Sequence, residues 1–367
     1  MRIGLDYRTV AASPRSGISR QVLAMERTLR ALPGVDLLRF AVAPLGDPLR
    51  QTVQCPPWGC PSPAMHRPHL RLRFELGYLP RALRELRVGL YIANFNMGLP
   101  LPPKPRGTRY ALLLHDLFQI TLDNYHANRL KASVYQLSDR LSIHYAVQAA
   151  DRIWTPSQYT ADEAARLFPR HADKLRVLPN LVDGFAGAPA DPQRLNLPAR
   201  YWLLVGTREL RKNVPWFVDA WHQARTRFPG VPELLLVGSL DHLPEHQRNL
   251  PGLYARGDLD DAQLHAVYLA AERLWQPSYA EGFGLPVVEA LRLGIPVAVA
   301  SGSSLDEVAP PDAPRFSPND AAALVELMAR LASPPAPDRA ALRDWAARFD
   351  AHSYSRRLAE LIEELQP

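Results

Sequence analysis

The chain has 367 residues, 47% of them apolar and 22% charged; those proportions are ordinary for a folded protein, and the length suits two α/β domains better than one core. No apolar run approaches the roughly 20 residues of a membrane-spanning helix, and the amino end reads as a strand, not a signal peptide. The positive charge is uneven: residues 1–180 hold 25 Lys and Arg against 13 Asp and Glu, and residues 181–367 hold 18 against 24.

In chain order, short apolar runs predict strands at 2–5, 37–40, 89–92, 110–114, 152–154 and 175–178, with helices at 18–31, 70–87, 128–149 and 158–168 between them. The Pro-rich stretch 41–66 and a second one at 99–105 read as loops. Cys55 and Cys60 are too few for a zinc site; they could pair across the Pro-rich turn, but two free thiols of a reducing, cytoplasmic compartment are the preferred reading. Residues 183–200, rich in Gly, Ala, Pro and Asp, read as a linker. A second series then predicts strands at 201–205, 233–237, 274–276 and 296–300, with helices at 214–227, 260–272, 286–293 and 318–332. Strands alternating with helices of ten or more residues indicate a parallel sheet covered on both faces. Two such series predict two doubly wound, Rossmann-like domains, over 1–182 and 201–350, and a terminal segment at 351–367.

Ligands of such domains bind beyond the carboxyl ends of the strands, where helix starts offer N–H groups. The loops after strands are therefore the places to look. After the run ending at Gln276 comes Pro277-Ser278-Tyr279-Ala280-Glu281-Gly282-Phe283-Gly284-Leu285-Pro286-Val287-Val288-Glu289. Its glycines permit a tight turn, Pro286 suits a first helical turn, and the N–H groups from Gly284 and Leu285 onward suit an anion. Glu281 and Glu289 beside an anion site are suited to sugar hydroxyls. After the first strand of this half, Gly206-Thr207-Arg208-Glu209-Leu210-Arg211-Lys212 sets three cations between a Gly turn and a helix, a pattern suited to a diphosphate. In the first half, His115-Asp116 follows a buried strand, and Gly17-Ile18 opens a helix. Asp258 and Asp260 read as helix capping, not as a metal pair. No dinucleotide or P-loop fingerprint is present, and the basic half lacks the interleaved aromatics of a nucleic-acid binder.

The Glu281 to Glu289 segment resembles the E-x7-E signature of retaining family 4 glycosyltransferases, in its EGFGLP form. Arg211-Lys212 resembles that family's Arg-Lys element, His115-Asp116 its HD pair, and Ser16-Gly17-Ile18 its first loop. The resemblance implies a GT-B fold, with two domains facing a central cleft and the 351–367 helix returning to the N-terminal, acceptor-binding domain. It implies Glu281 on the donor sugar, Glu289 on the ribose, and Arg211, Lys212 and Arg208 on the diphosphate. Which of the two arginines makes the main phosphate contact stays open. It further implies His115 near the reacting sugar and Gly17 and Ile18 where acceptor and diphosphate meet.

The expected function is transfer of a hexose, with retention and without metal or other cofactor, from a nucleotide-diphosphate sugar to a glycan or lipid-diphosphate-linked acceptor. GDP-mannose is the first expectation and a UDP-sugar the second, in cell-surface polysaccharide, lipopolysaccharide or O-antigen synthesis. The basic half, with Arg67, Arg71, Arg73, Arg81, Arg84 and Arg87, suggests an anionic membrane face, hence a cytoplasmic protein peripheral to the inner face of the membrane. Two alternatives remain at this level: a nucleotide-sugar hydrolase or epimerase, and a non-catalytic scaffold that binds the nucleotide sugar.

Overall fold

A computed structural model describes residues 1–14, 16–41, 52–54, 68–121, 129–185 and 187–366, and for 52–54, 68 and 129–136 the backbone alone. Cys55, Cys60 and Arg67 lie outside the described residues. The chain divides into two compact units, Met1–Leu181 with Tyr354–Pro367, and Val182–Ser353.

In the first unit, β1 (Arg2–Asp6), β2 (Asp36–Ala41), β3 (Thr52–Gln54), β4 (Leu90–Ala93), β5 (Arg109–Leu113), β6 (Arg152–Thr155) and β7 (Leu175–Val177) form one sheet. Its order is β3-β2-β1-β4-β5-β6-β7, and every pairing is parallel. Alternate side chains feed two cores, as the two-residue period of a strand requires. Ile3, Leu5, Leu90 and Ile92 pack with Val22, Met25 and Leu29 of helix Gly17–Ala31 and with Tyr354, Leu358 and Leu361 of helix Ala351–Glu363. Tyr91, Ala93, Tyr110 and Leu112 pack on the other face with Phe74, Leu83, Ile143 and Val147.

In the second unit, β8 (Tyr201–Val205), β9 (Glu233–Val237), β10 (Leu253–Arg256), β11 (Arg273–Gln276), β12 (Val297–Ala300) and β13 (Arg315–Phe316) are ordered β10-β9-β8-β11-β12-β13, again parallel. Trp202, Leu204 and Trp275 face helices Val214–Arg227 and Ala321–Leu331. Tyr201, Leu203 and Leu274 face helices Asp261–Ala270 and Leu285–Arg292.

Several elements depart from the sequence reading. β3 forms inside the expected 41–66 loop, while β10 and β13 lie in stretches that show no strand pattern. Each is two to four residues long, and β10 and β13 close the two edges of the second sheet. Only Leu253 of β10 is buried, so the alternation that marks an inner strand is missing. Residues 183–200 are no free connector. Ala190 N–H donates to the Ala262 carbonyl at 2.9 Å, and Arg256 donates to the carbonyls of Leu195 and Asn196.

The helix expected at 70–87 runs as Pro68–Leu72, a π-turn over Arg73–Tyr78, and Leu79–Glu85. Within that turn the neighbours Phe74 and Glu75 both meet Arg8. Among the described residues, no helix is long and apolar enough to cross a membrane.

Candidate functional site

A doubly wound sheet leaves a crevice where its strand order reverses, and ligands bind there at the carboxyl ends. In the second unit the reversal falls between β8 and β11. The loops leaving those two strands are 206–213 and 277–284, the segments already singled out by their cations and carboxylates.

The two loops are laced together. Tyr279 N–H donates to the Arg211 carbonyl at 3.0 Å, and Arg211 Nη1 donates to the Ala280 carbonyl at 3.1 Å. Arg211 Nη1 also meets Glu281 Oε2 at 2.5 Å, and its Nη2 pairs with Glu209. Glu281 is only 6% exposed. Its other oxygen accepts from Gln276 Nε2 and Ser278 Oγ, both at 2.9 Å. Burial alone would raise the Glu281 pKa, but the charges of Arg211 and Lys212 and the hydrogen bonds outweigh it and hold the carboxyl below its usual range. It is an ionised acceptor fixed in one orientation. Ser304 Oγ donates to the Glu281 carbonyl at 2.9 Å and pins the backbone of the same residue.

Lys212 Nζ folds back to donate to the Val205 carbonyl at 2.9 Å. It lies over Gly206, where an added Cβ would meet that nitrogen at 2.9 Å and the backbone is left-handed, φ 86°. The glycine is thus a requirement of the lysine's position. Thr207 Oγ1 donates to the Ser239 carbonyl at 2.9 Å and ties the β8 loop to the β9 loop. Arg208 is exposed. Of the two candidate phosphate contacts, Arg211 is committed to carboxylates, and Arg208 points outward.

Helix Leu285–Arg292 starts at Gly284, φ 102°, with no side-chain cap, so its first N–H groups are not taken by a capping side chain. Gly282 lies in the same turn between Glu281 and the helix. Glu289 is buried, and its Oε2 accepts from Tyr268 Oη at 2.8 Å. The Phe283 ring is 4% exposed and packs edge-on to Phe349 at 5.2 Å. Of this residue only the backbone remains for a ligand. Asp260 caps helix Asp261–Ala270 in a capping box with Gln263, as expected.

In the first unit the order reverses between β1 and β4. His115, just past β5, is buried, and its Nε2–H donates to the Asn94 carbonyl at 2.8 Å. That bond leaves Nδ1 as the acceptor nitrogen. Burial lowers its pKa, so the ring is neutral. Its backbone N–H donates to Asn96 Oδ1 at 2.8 Å, while Asp116 Oδ1 accepts from Asn96 Nδ2 at 3.1 Å and plays a bracing part. Gly17 and Ile18 open a helix capped by Ser16, whose Oγ accepts from Ser19 N–H at 3.2 Å.

A buried ion cluster at this reversal carries no motif in the sequence. Arg8 is 1% exposed, grips Asp6 at 2.7 Å and Glu75 at 3.0 Å, and sits 4.5 Å from the Phe74 ring centre. The only hint was an Asp at the end of the first strand and an Arg two residues on. Arg71, expected on a basic outer face, is buried instead and bonds Asp139, Ser138 and Ser142, whereas Arg73, Arg81, Arg84 and Arg87 are exposed.

Two parallel-sheet units with this pair of loops define the GT-B class of glycosyltransferase. Residues 199–333 match the model for glycosyl transferases group 1 and residues 15–184 match that for glycosyltransferase family 4, so the chain carries a glycosyltransferase domain of each kind. The chain is 30% identical over 262 residues to O-antigen chain mannosyltransferase B of Escherichia coli; the match covers 66% of this chain and 65% of that enzyme, so less than two thirds of its length is spanned. Among solved structures, sucrose-phosphate synthase from Thermosynechococcus elongatus superposes with a TM-score of 0.71 at 20% identity, covering 100% of this chain and 99% of the other. Anabaena Alr3699/HepE in complex with UDP-glucose superposes with a TM-score of 0.67 at 17% identity, covering 99% and 100%.

Proposed function

We propose that the chain transfers a hexose from a nucleotide-diphosphate sugar to a glycan or lipid-linked acceptor in O-antigen or related polysaccharide synthesis. The observation that carries this reading is the buried Glu281 carboxylate held against Arg211 and beside Lys212, at the sheet reversal where a helix starts without a side-chain cap. It supplies a fixed acceptor for sugar hydroxyls next to fixed positive charge. The likeness to an O-antigen mannosyltransferase favours mannose, hence GDP-mannose as donor. A solved relative in complex with UDP-glucose keeps a UDP-sugar as the second choice.

In this mechanism the bond between the anomeric carbon and the diphosphate oxygen breaks, and its electron pair stays on the leaving diphosphate. Lys212, Arg208, the charge of Arg211 and the first N–H groups of helix Leu285–Arg292 stabilise that growing charge. These cations take the part a divalent metal plays elsewhere, so the reaction proceeds without one. The acceptor oxygen forms the new bond from the face the diphosphate leaves, with retention, and its proton passes to the departing phosphate. Glu281 orients the sugar through its hydroxyls. Neutral His115, with Nδ1 free to accept, serves as a second sugar contact, and Glu289 serves the ribose. The acceptor is taken up by the unit that bears Gly17 and Ile18, at an anionic membrane face.

Lys212→Ala and Glu281→Ala are each expected to lower turnover about 100-fold or more, a loss of several kcal/mol of transition-state stabilisation. Initial rates with GDP-mannose and UDP-glucose, with and without a lipid-linked acceptor, measure this. Near wild-type rates in both variants would sink the assignment. Donor consumption that proceeds equally without acceptor would favour a hydrolase.

A further inference from the structure

The amino ends of β1, β4 and β5 lie at the opposite edge of the first unit's sheet from His115 and Asn94. They border a cavity of about 800 Å³ lined by Arg2, Arg87, Lys104, Arg106 and Arg109, and among the described residues no acidic side chain lines it. Two neighbouring carboxylates serve three of these cations. Arg2 meets Asp36 at 2.7 Å, and Lys104 and Arg109 share Asp151 at 2.5 and 3.4 Å. Among the described residues, Arg87 and Arg106 have no ion-pair partner and stand exposed. Among the described residues five like charges converge where two opposite ones pair with them, an arrangement that favours a multivalent anion.

Arg87 adds an independent observation. It follows helix Leu79–Glu85 in the left-handed conformation, φ 51°, with its N–H donating to the Arg84 carbonyl and Val88 N–H to the Leu83 carbonyl. That is the helix-terminating position at which glycine is favoured, because a Cβ is strained there. An arginine in a glycine's place, unpaired and turned into a cavity of cations, is local strain kept at a charged site, and such strain points to use.

The geometry points to a second anion site in this chain, carried by the first unit and sharing no residue with the donor loops of the second, in which Arg87 and Arg106 grip a phosphate or diphosphate group. Arg2, Lys104 and Arg109 set the surrounding potential, and the planar guanidinium forks match phosphate oxygens in pairs. The group is borne either by an anionic lipid headgroup or by a soluble phosphate compound. The site does not depend on the donor assignment.

The test is calorimetric titration of inorganic pyrophosphate into the full chain carrying Lys212→Ala, which removes the donor-side lysine, with and without Arg87→Gly and Arg106→Ala. Binding is expected to persist in Lys212→Ala and to weaken at least about tenfold when the two arginines are also changed. The melting temperature should stay level or rise, since glycine relieves the left-handed backbone. A parallel arm measures co-sedimentation of the same proteins with phosphatidylglycerol and with phosphatidylcholine vesicles. Loss of phosphatidylglycerol binding identifies a lipid headgroup; loss of pyrophosphate binding alone identifies a soluble phosphate. Arg166→Ala with Arg170→Ala, which removes the same charge elsewhere on this unit, should change neither. Unchanged binding in both arms, or an equal loss in this control pair, overturns the proposal.

Discussion

Glu281 and His115 are both buried, and both have pKa values held below their ordinary ones, for different reasons. For Glu281, burial pushes the pKa up and the charges of Arg211 and Lys212 more than reverse it; for His115, burial is itself the cause. Both depressions give stability that is lost on acidification, in separate windows. The His115 contribution is complete above its ordinary value of 6.5 and falls below it, because the unfolded chain takes up a proton that the buried ring refuses. The Glu281 contribution is complete above 4.5 and is lost as pH falls through the lower folded value. Urea unfolding midpoints of the wild type should therefore begin to drop below about pH 6.5, and His115→Gln should flatten that first decline while leaving the one below 4.5. An unchanged first decline in the variant would contradict the assignment. The residue types at these positions were legible in the sequence as motif members. Their ionisation was not, because it depends on burial that only the fold imposes and, at Glu281, on how closely Arg211, Lys212 and Ser278 approach the carboxylate.

At the scale of elements, helix starts were easier to read than edge strands. Asp260 with Gln263, Ser16 with Ser19, and Gly284 followed by Pro286 are local signals, and the chain obeys each. β10 and β13 were missed because an edge strand of two to four residues carries no alternation. Gly284 joins local and tertiary demands: its φ is 102°, and an added Cβ would stand 2.6 Å from Leu305 Cδ2. Gly284→Ala must strain the turn or displace the helix that Leu305 begins, and either moves the N–H groups facing the proposed diphosphate. We expect about 1–2 kcal/mol of lost stability from the left-handed backbone alone, together with weaker nucleoside diphosphate binding. Thermal melts with and without GDP and UDP measure both effects. A variant with the wild-type ligand-induced shift would show that the helix start does not bind the diphosphate.

At the scale of the whole molecule, the last residues are not an appendage to the second unit that precedes them. Tyr354, Leu358, Leu361 and Ile362 are buried in the first unit's core with Trp154, Leu178 and Leu181. Leu358→Ala and Leu361→Ala are each expected to cost about 2–5 kcal/mol by leaving a cavity there. Fluorescence-detected unfolding should show an earlier transition with nucleotide affinity unchanged; a fall in affinity with no loss of stability would contradict this division of the chain. The apolar alternation and helix signals of the sequence determined the doubly wound class and the second unit's paired loops, because strand period, caps and glycine turns act over a few residues. The tertiary structure alone decided that Arg8 would be buried between Asp6 and Glu75, that Arg71 would turn inward, and that Arg87 would close a cavity of cations. Those outcomes depend on which distant segments the sheet order brings side by side, and desolvation acts on that neighbourhood rather than on sequence distance.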